Sequence, residues 1–385
     1  MKKSILVLVA IPVTIAAVHL AVKISNHEYL YRGISETYLK GRTGPAIDEY
    51  SIFPYRVVKK RTPQPLPQGH DYNRIEFPGK ISGFFNEYGT IGFLVLRNDS
   101  LRYEHYWDNF GPASHTNSFS MAKTIVSILT GIALAENKIK SVDQQVGDFL
   151  PEFNTGEKSK ITIRHLLTMS TGLDFDESYV SPFAYPAKAY YGTDLKSLTF
   201  RYKVAREPGK IFEYLSGNTQ ILGFVLEKAT GMKISTYATE KLWEPLGSEQ
   251  DAFWSLDQEQ GDEKAFCCFN SNLRDFARIG QLYLHEGNWN GQQIVSPDYV
   301  RQSVEPEPLL EKDGTPNHRY GFSWWLLHYR QQNIFYAQGI NGQYIIVFPE
   351  KKMVVVRLGK KRILKRINGH HEDLYSYIDA VIDGF

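Results

Sequence analysis

Residues 118–151 read SFSMAKTIVSILTGIALAENKIKSVDQQVGDFLP. A stretch rich in small polar residues, Ser114 to Ser120, runs into an apolar one in which Met121, Ile125, Ile128, Leu129 and Ile132 recur three or four apart. That is the spacing of a helix with a buried face. Ser120 therefore stands at a helix N-terminus, where unpaired N–H groups and the positive end of the dipole favour developing negative charge. Lys123 follows about one turn later and shares its face. A desolvated lysine loses its proton more readily and can take the serine proton. Taken alone, the tetrapeptide S-x-x-K reads as a helix cap followed by a solvated charge.

The sequence on either side supplies the frame. Residues 91–98 (IGFLVLRN) and 101–107 (LRYEHYW), with Asp99 and Ser100 between them, read as a β-hairpin. Roughly 140–310 is a run of short helical patterns, clearest at 163–169, 217–230 and 273–285, separated by Gly and Pro. Strand patterns return at 322–329, 334–337, 343–348 and 353–358, followed by a helix from about 371 to 382. Strands at both ends with helices between them predict an α+β fold, an antiparallel sheet built from both ends of the chain and flanked by helices. The predicted organisation is an N-terminal anchor or signal segment and approach over 1–45, a Pro-rich basic linker over 46–80, and a catalytic domain over 81–385. Pro63, Pro65 and Pro67 deny the linker regular structure.

The 385 residues suffice for a sizeable core, and 22% charged with 42% hydrophobic residues fit a folded chain. Against 42 Asp+Glu, 44 Lys+Arg leave a net charge of +2, which gives no reason to expect a nucleic-acid partner. Lys2 and Lys3 precede an apolar run from Ile5 to Val22, near the length that crosses a bilayer. It reads as an uncleaved anchor, so the protein is expected outside the cytoplasm, tethered to a membrane. The adjacent Cys267 and Cys268 read as two buried small side chains rather than a vicinal disulfide. His370 and His371 read as a surface pair, and no histidine spacing suggests a metal site. No metal or cofactor is expected.

Several ordered blocks together resemble the penicillin-recognising serine hydrolases, the superfamily of class C β-lactamases, D-alanyl-D-alanine carboxypeptidases, related esterases and 6-aminohexanoate-dimer hydrolases. They are 118–151, then ITIRHLLTMSTGL at 161–173, FEYLSGNTQILGFVLEKATG at 212–231, 274–297 and 338–356. The resemblance implies Ser120 as nucleophile. Lys123 and Tyr214 would share its proton, the ammonium favouring a phenolate, and Ser216 would support them by hydrogen bonding. The N–H groups of Ser120 and Ile340 would form an oxyanion hole.

The third block departs from the superfamily pattern. Where a Lys-Thr-Gly or His-x-Gly is usual, the chain reads Ala337-Gln338-Gly339. A cation that would hold a substrate carboxylate is missing, which weakens a penicillin or peptidoglycan substrate. DFDESY at 174–179 and GINGQY at 339–344 resemble the 6-aminohexanoate-dimer hydrolase branch. By that resemblance Tyr179 donates to a leaving nitrogen, or packs over the site mouth, while Gln338 and Gly339 contact substrate. Asp174, Asp176 and Glu177 read as a solvated loop face. The expected partner is a small-molecule amide or ester; the rivals are a β-lactamase, a D-Ala-D-Ala carboxypeptidase and a non-catalytic binding protein on the same fold.

Overall fold

Alternation along the C-terminal strands sets the layers. In Gln343–Phe348, Tyr344, Ile346 and Phe348 point to one side and Ile345 and Val347 to the other, all buried. Met353–Gly359 repeats the pattern, with Met353 and Val355 against Val354 and Val356. A sheet apolar on both faces needs a helical layer on each. On one side Leu374, Tyr377 and Ile378 of the C-terminal helix Glu372–Gly384 join Phe85 of Gly79–Glu87. On the other, Phe276, Ile279 and Leu282 of Leu273–Leu284 pack beside the helix Ala122–Ala135.

The computed structural model describes residues 14–385. Its central sheet runs, in spatial order, Ser100–Tyr106, Thr90–Arg97, Met353–Gly359, Gln343–Phe348, Gln332–Gly339 and Trp325–Tyr329. Every neighbour is antiparallel. The two ends of the chain meet where Val95 pairs with Val355. The expected α+β architecture is therefore present. The hairpin turn sits one residue earlier than its predicted place: Asn98 and Asp99 take positive φ and Ser100 pairs with Arg97, a two-residue turn that suits Asn and Asp.

Three expectations need correction. The segment 46–80 is no free linker: Tyr55–Val58 is a strand paired with Ala252–Ser255, and Ile47, Phe53, Val58 and Leu66 are buried. Its prolines lie beyond the strand, which they bound rather than prevent. The helical middle also holds strands, because Ala252–Ser255 and Phe269–Ser271 form with Thr116–Asn117 and Tyr55–Val58 a second, four-stranded sheet. His370 and His371 are buried, not exposed. A short hairpin, Arg366–Ile367 with His370–His371, folds them inward, and Tyr336 Oη lies 2.6 Å from His370 Nδ1.

The first half of the predicted apolar anchor run, 5–13, lies outside the described residues. Positions 14–24 form a helix, and among the described residues no helix is long and apolar enough to cross a membrane. The chain then returns to the body through Tyr29–Glu36, whose first residue donates its hydroxyl to Pro182 O at 3.0 Å.

Candidate active site

The second sheet presents Ser120. Thr116–Asn117 pairs with Phe269–Ser271, and the N–H of Ser118 donates to Phe269 O at 2.9 Å. Asn117 Oδ1 then accepts from the N–H of Phe119 at 2.8 Å. Phe119 is held at φ +45°, a conformation uncommon for a bulky residue. The single turn Phe119–Met121 passes directly into Ala122–Ala135. The predicted spacing is realised: Lys123 Nζ lies 2.9 Å from Ser120 Oγ. Its second partner is Phe266 O, at 2.8 Å. Lys123 is 1% exposed, and burial pushes its ammonium down to about 7, against the opposing pull of the Glu177 carboxylate.

Tyr214 stands in the extended stretch before the helix Ser216–Thr230, with its ring centroid 5.1 Å from Lys123 Nζ. Burial works against the expected phenolate. Burial raises the Tyr214 phenol well above its usual value, and its hydrogen bond to Ser120 only partly offsets this. Tyr214 is thus held as a protonated phenol hydrogen-bonded to Ser120. The donors of Ser216 are directed to Glu177, its N–H and Oγ donating to that carboxylate at 2.8 and 2.5 Å.

Glu177 is the residue that sequence reasoning misplaced. Leu173 and Phe175 are buried while Asp174 and Asp176 are exposed. An extended chain alternates sides, so Glu177 follows Phe175 inward. Gly217 makes this possible, since a Cβ there would lie 2.2 Å from the Phe175 ring. The Glu177 carboxylate accepts from Ser216 and, at 2.7 Å, from the hydroxyl of Tyr179. Burial raises its pKa, with Lys123 and Ser216 pulling the other way. Tyr179 is more than half exposed and spends its hydroxyl on Glu177.

The opposite wall is the end of the strand Gln332–Gly339. A Cβ at Gly339 would lie 2.3 Å from Ser118 O, so only glycine lets this strand approach the nucleophile turn. Gln338 and Gly339 line the cleft, and Ile340 opens the turn that follows. Arg357 pins that turn by donating to Asn341 O and Gly342 O at 2.9 and 2.7 Å. Position 337 offers no cation, but positive charge reaches the cleft from elsewhere. Arg362 Nη1 lies 3.4 Å from Gly339 O, and Arg366 stands nearby. Ser120 opens onto two clefts, of about 1060 and 1270 Å³. Tyr214, Trp325 and Gln338 line the first; the second is walled by the N-terminal segment from Tyr29 to Asp48 and by Ser178 to Pro182.

The two cysteines after Phe266 differ from the expectation of free side chains. Cys267 and Cys268 are bonded to each other, with Cys268 at φ +66°. The left-handed backbone there turns the two neighbouring side chains together, a geometry that packing preference alone does not anticipate.

Comparison with known proteins places this arrangement. The family profile described as Beta-lactamase matches residues 81–366. The chain belongs to the Beta-lactamase family. Among curated relatives, this family member is 26% identical over 290 residues to the 6-aminohexanoate-dimer hydrolase of Paenarthrobacter ureafaciens, covering 70% of this chain and 72% of that one. A solved structure from Bacillus anthracis, named as a candidate 6-aminohexanoate-dimer hydrolase, superposes with a TM-score of 0.75 at 22% identity, covering 86% of this chain and 90% of the other. The penicillin-binding protein homologue of Pyrococcus abyssi gives 0.59 at 18% identity, over 80% and 77%. These two structures share the fold of this Beta-lactamase-family chain.

Proposed function

We propose that the protein hydrolyses an amide or ester through an acyl-enzyme on Ser120. The observation that carries this reading is the 2.9 Å contact between Ser120 Oγ and a buried Lys123 whose pKa lies near 7. A neutral lysine amine accepts the Oγ proton as Oγ bonds to the substrate carbonyl carbon. The carbonyl oxygen, now negative, lies between the N–H groups of Ser120 and Ile340. Tyr214, a phenol held protonated, passes a proton to the leaving nitrogen or oxygen and is resupplied by the Lys123 ammonium. The carbon–heteroatom bond breaks, and the acyl group stays on Ser120. Water then attacks the acyl carbon, gives its proton to Lys123, and Ser120 leaves as the hydroxyl.

Similarity to a protein named 6-aminohexanoate-dimer hydrolase supports an amide as substrate. Turnover of an aminohexanoate dimer, a short acyl ester, nitrocefin and a D-Ala-D-Ala peptide on one preparation tests the assignment. The first two are expected to dominate, and Ser120→Ala is expected to lose roughly 10³-fold or more in kcat. Full turnover by Ser120→Ala, or a dominant rate on the last two substrates, contradicts it.

A further inference from the structure

Ser120, Tyr179, Ile340, Arg362 and Arg366 line both clefts, so two guanidinium groups stand at the junction where the nucleophile is exposed. Both arginines belong to the segment KKRILKR, 360–366, that follows the last central strand. Their recorded hydrogen bonds go to main-chain oxygens: Arg362 to Gly339 O at 3.4 Å and Arg366 to Gly369 O at 2.7 Å. Of the other charges around the first cleft, Glu311 is matched by Arg319 and Glu213 by Arg206 and Lys312, while Glu177 is bound by Ser216 and Tyr179 and Asp313 by Thr315. Among the described residues neither Arg362 nor Arg366 forms an ion pair with a carboxylate. The two also repel each other: beyond partial desolvation of the largely exposed Arg366, the charge of Arg362 lowers its pKa. Burial first, and then the field of the nearby arginines, lowers the pKa of His370 and His371, so those rings stay neutral and add no further positive charge.

Asp373 feels the charge of Arg362 but is buried, hydrogen-bonded to Tyr344 and not in ion-pair contact with it. Two neighbouring cations with no carboxylate in ion-pair contact, lining the space that a substrate must enter, form a site for an oxyanion. A guanidinium takes a carboxylate or a phosphate through two parallel hydrogen bonds. We propose that Arg362 and Arg366 form an oxyanion subsite beside Ser120, and that the preferred substrate is an amide or ester carrying a carboxylate or phosphate that reaches them. The proposal rests on the reading of Ser120 as nucleophile. It supplies from the far end of the chain the positive charge that position 337 lacks.

The test is a matched set of activated esters of one chain length ending in a carboxylate, a phosphate, a methyl ester or an ammonium. The wild-type protein is expected to turn over the carboxylate or the phosphate at least tenfold faster in kcat/KM than the methyl ester, with the better of the two naming the anion. Salt is expected to shrink that advantage. In Arg362→Gln/Arg366→Gln the ratio of anionic to neutral kcat/KM is expected to fall to within about twofold of unity. Arg366 is exposed, so Arg366→Glu keeps the design informative if the double variant does not fold; it is expected to shift preference toward the ammonium ester. Equal wild-type rates on anionic and neutral esters overturn the subsite while leaving the Ser120 reading intact. An anionic preference that survives the substitutions overturns it too. Failure of the wild type on all four esters counts against the nucleophile itself.

Discussion

Lys123 sets the pH behaviour of the site. Its folded pKa, about 7, lies below the ordinary lysine value of 10.5 because the ammonium is buried. The folded state therefore binds fewer protons than the unfolded one between those values, and stability rises with pH across that window. The cost of holding Lys123 is greatest below pH 7. Lys123→Met is accordingly expected to stabilise the fold by on the order of 2 kcal/mol at pH 6, with the gain vanishing above pH 10.5, while hydrolysis is lost. Urea titrations at pH 6 and 10.5 check this, and an equal gain at both pH values would contradict it. Glu177 adds a second test. Its carboxylate raises the Lys123 pKa, so Glu177→Gln should move the ascending limb of the kcat/KM profile to lower pH; a shift to higher pH would show that Glu177 does not act on the base. The role of Glu177 was hidden because DFDESY looks like a solvated acidic loop when residues are counted by type. Its side-alternation with Leu173 and Phe175 is the signal that could have placed it. Arg362 and Arg366 gave no such signal, since a basic run reads as surface and only the return of the chain past Gly339 brings it to Ser120.

At the scale of elements, regular patterns were legible and short ones were not. The helix after Ser120, the helix Ser216–Thr230 and the strands Gln343–Phe348 and Met353–Gly359 follow their apolar periods closely. The second sheet escaped notice because its strands run two to four residues, too few to show a period, and pair across long separations. Yet that sheet and the end of Gln332–Gly339 are what fix the nucleophile turn between them. Gly339→Ala is expected to push the strand away from Ser118 O, costing about 1–3 kcal/mol in stability and about 100-fold in kcat/KM. Kinetics alongside chemical denaturation read both quantities, and unchanged turnover would show that close approach at Gly339 is not needed.

The whole molecule draws its central sheet from both ends of the chain, which ties the two halves into one folding unit. The segment 46–80 is sewn into the second sheet, and the stretch from Tyr29 to Asp48 walls one of the clefts, so the approach to the catalytic region is also part of the site. Ile346→Ala, deep in the central sheet, is expected to lower stability by about 2–5 kcal/mol while secondary structure and hydrolysis are lost in one coincident urea transition. Two separated transitions would mean that the regions unfold independently. The proposed hydrolysis depends on a covalent acyl-enzyme on Ser120. Intact-mass and peptide analysis after exposure to a fluorophosphonate reads it directly. One adduct on the peptide carrying Ser120, formed faster as pH rises through about 7 and absent from Ser120→Ala, is the predicted result; no adduct, or one on a different residue, would contradict the account.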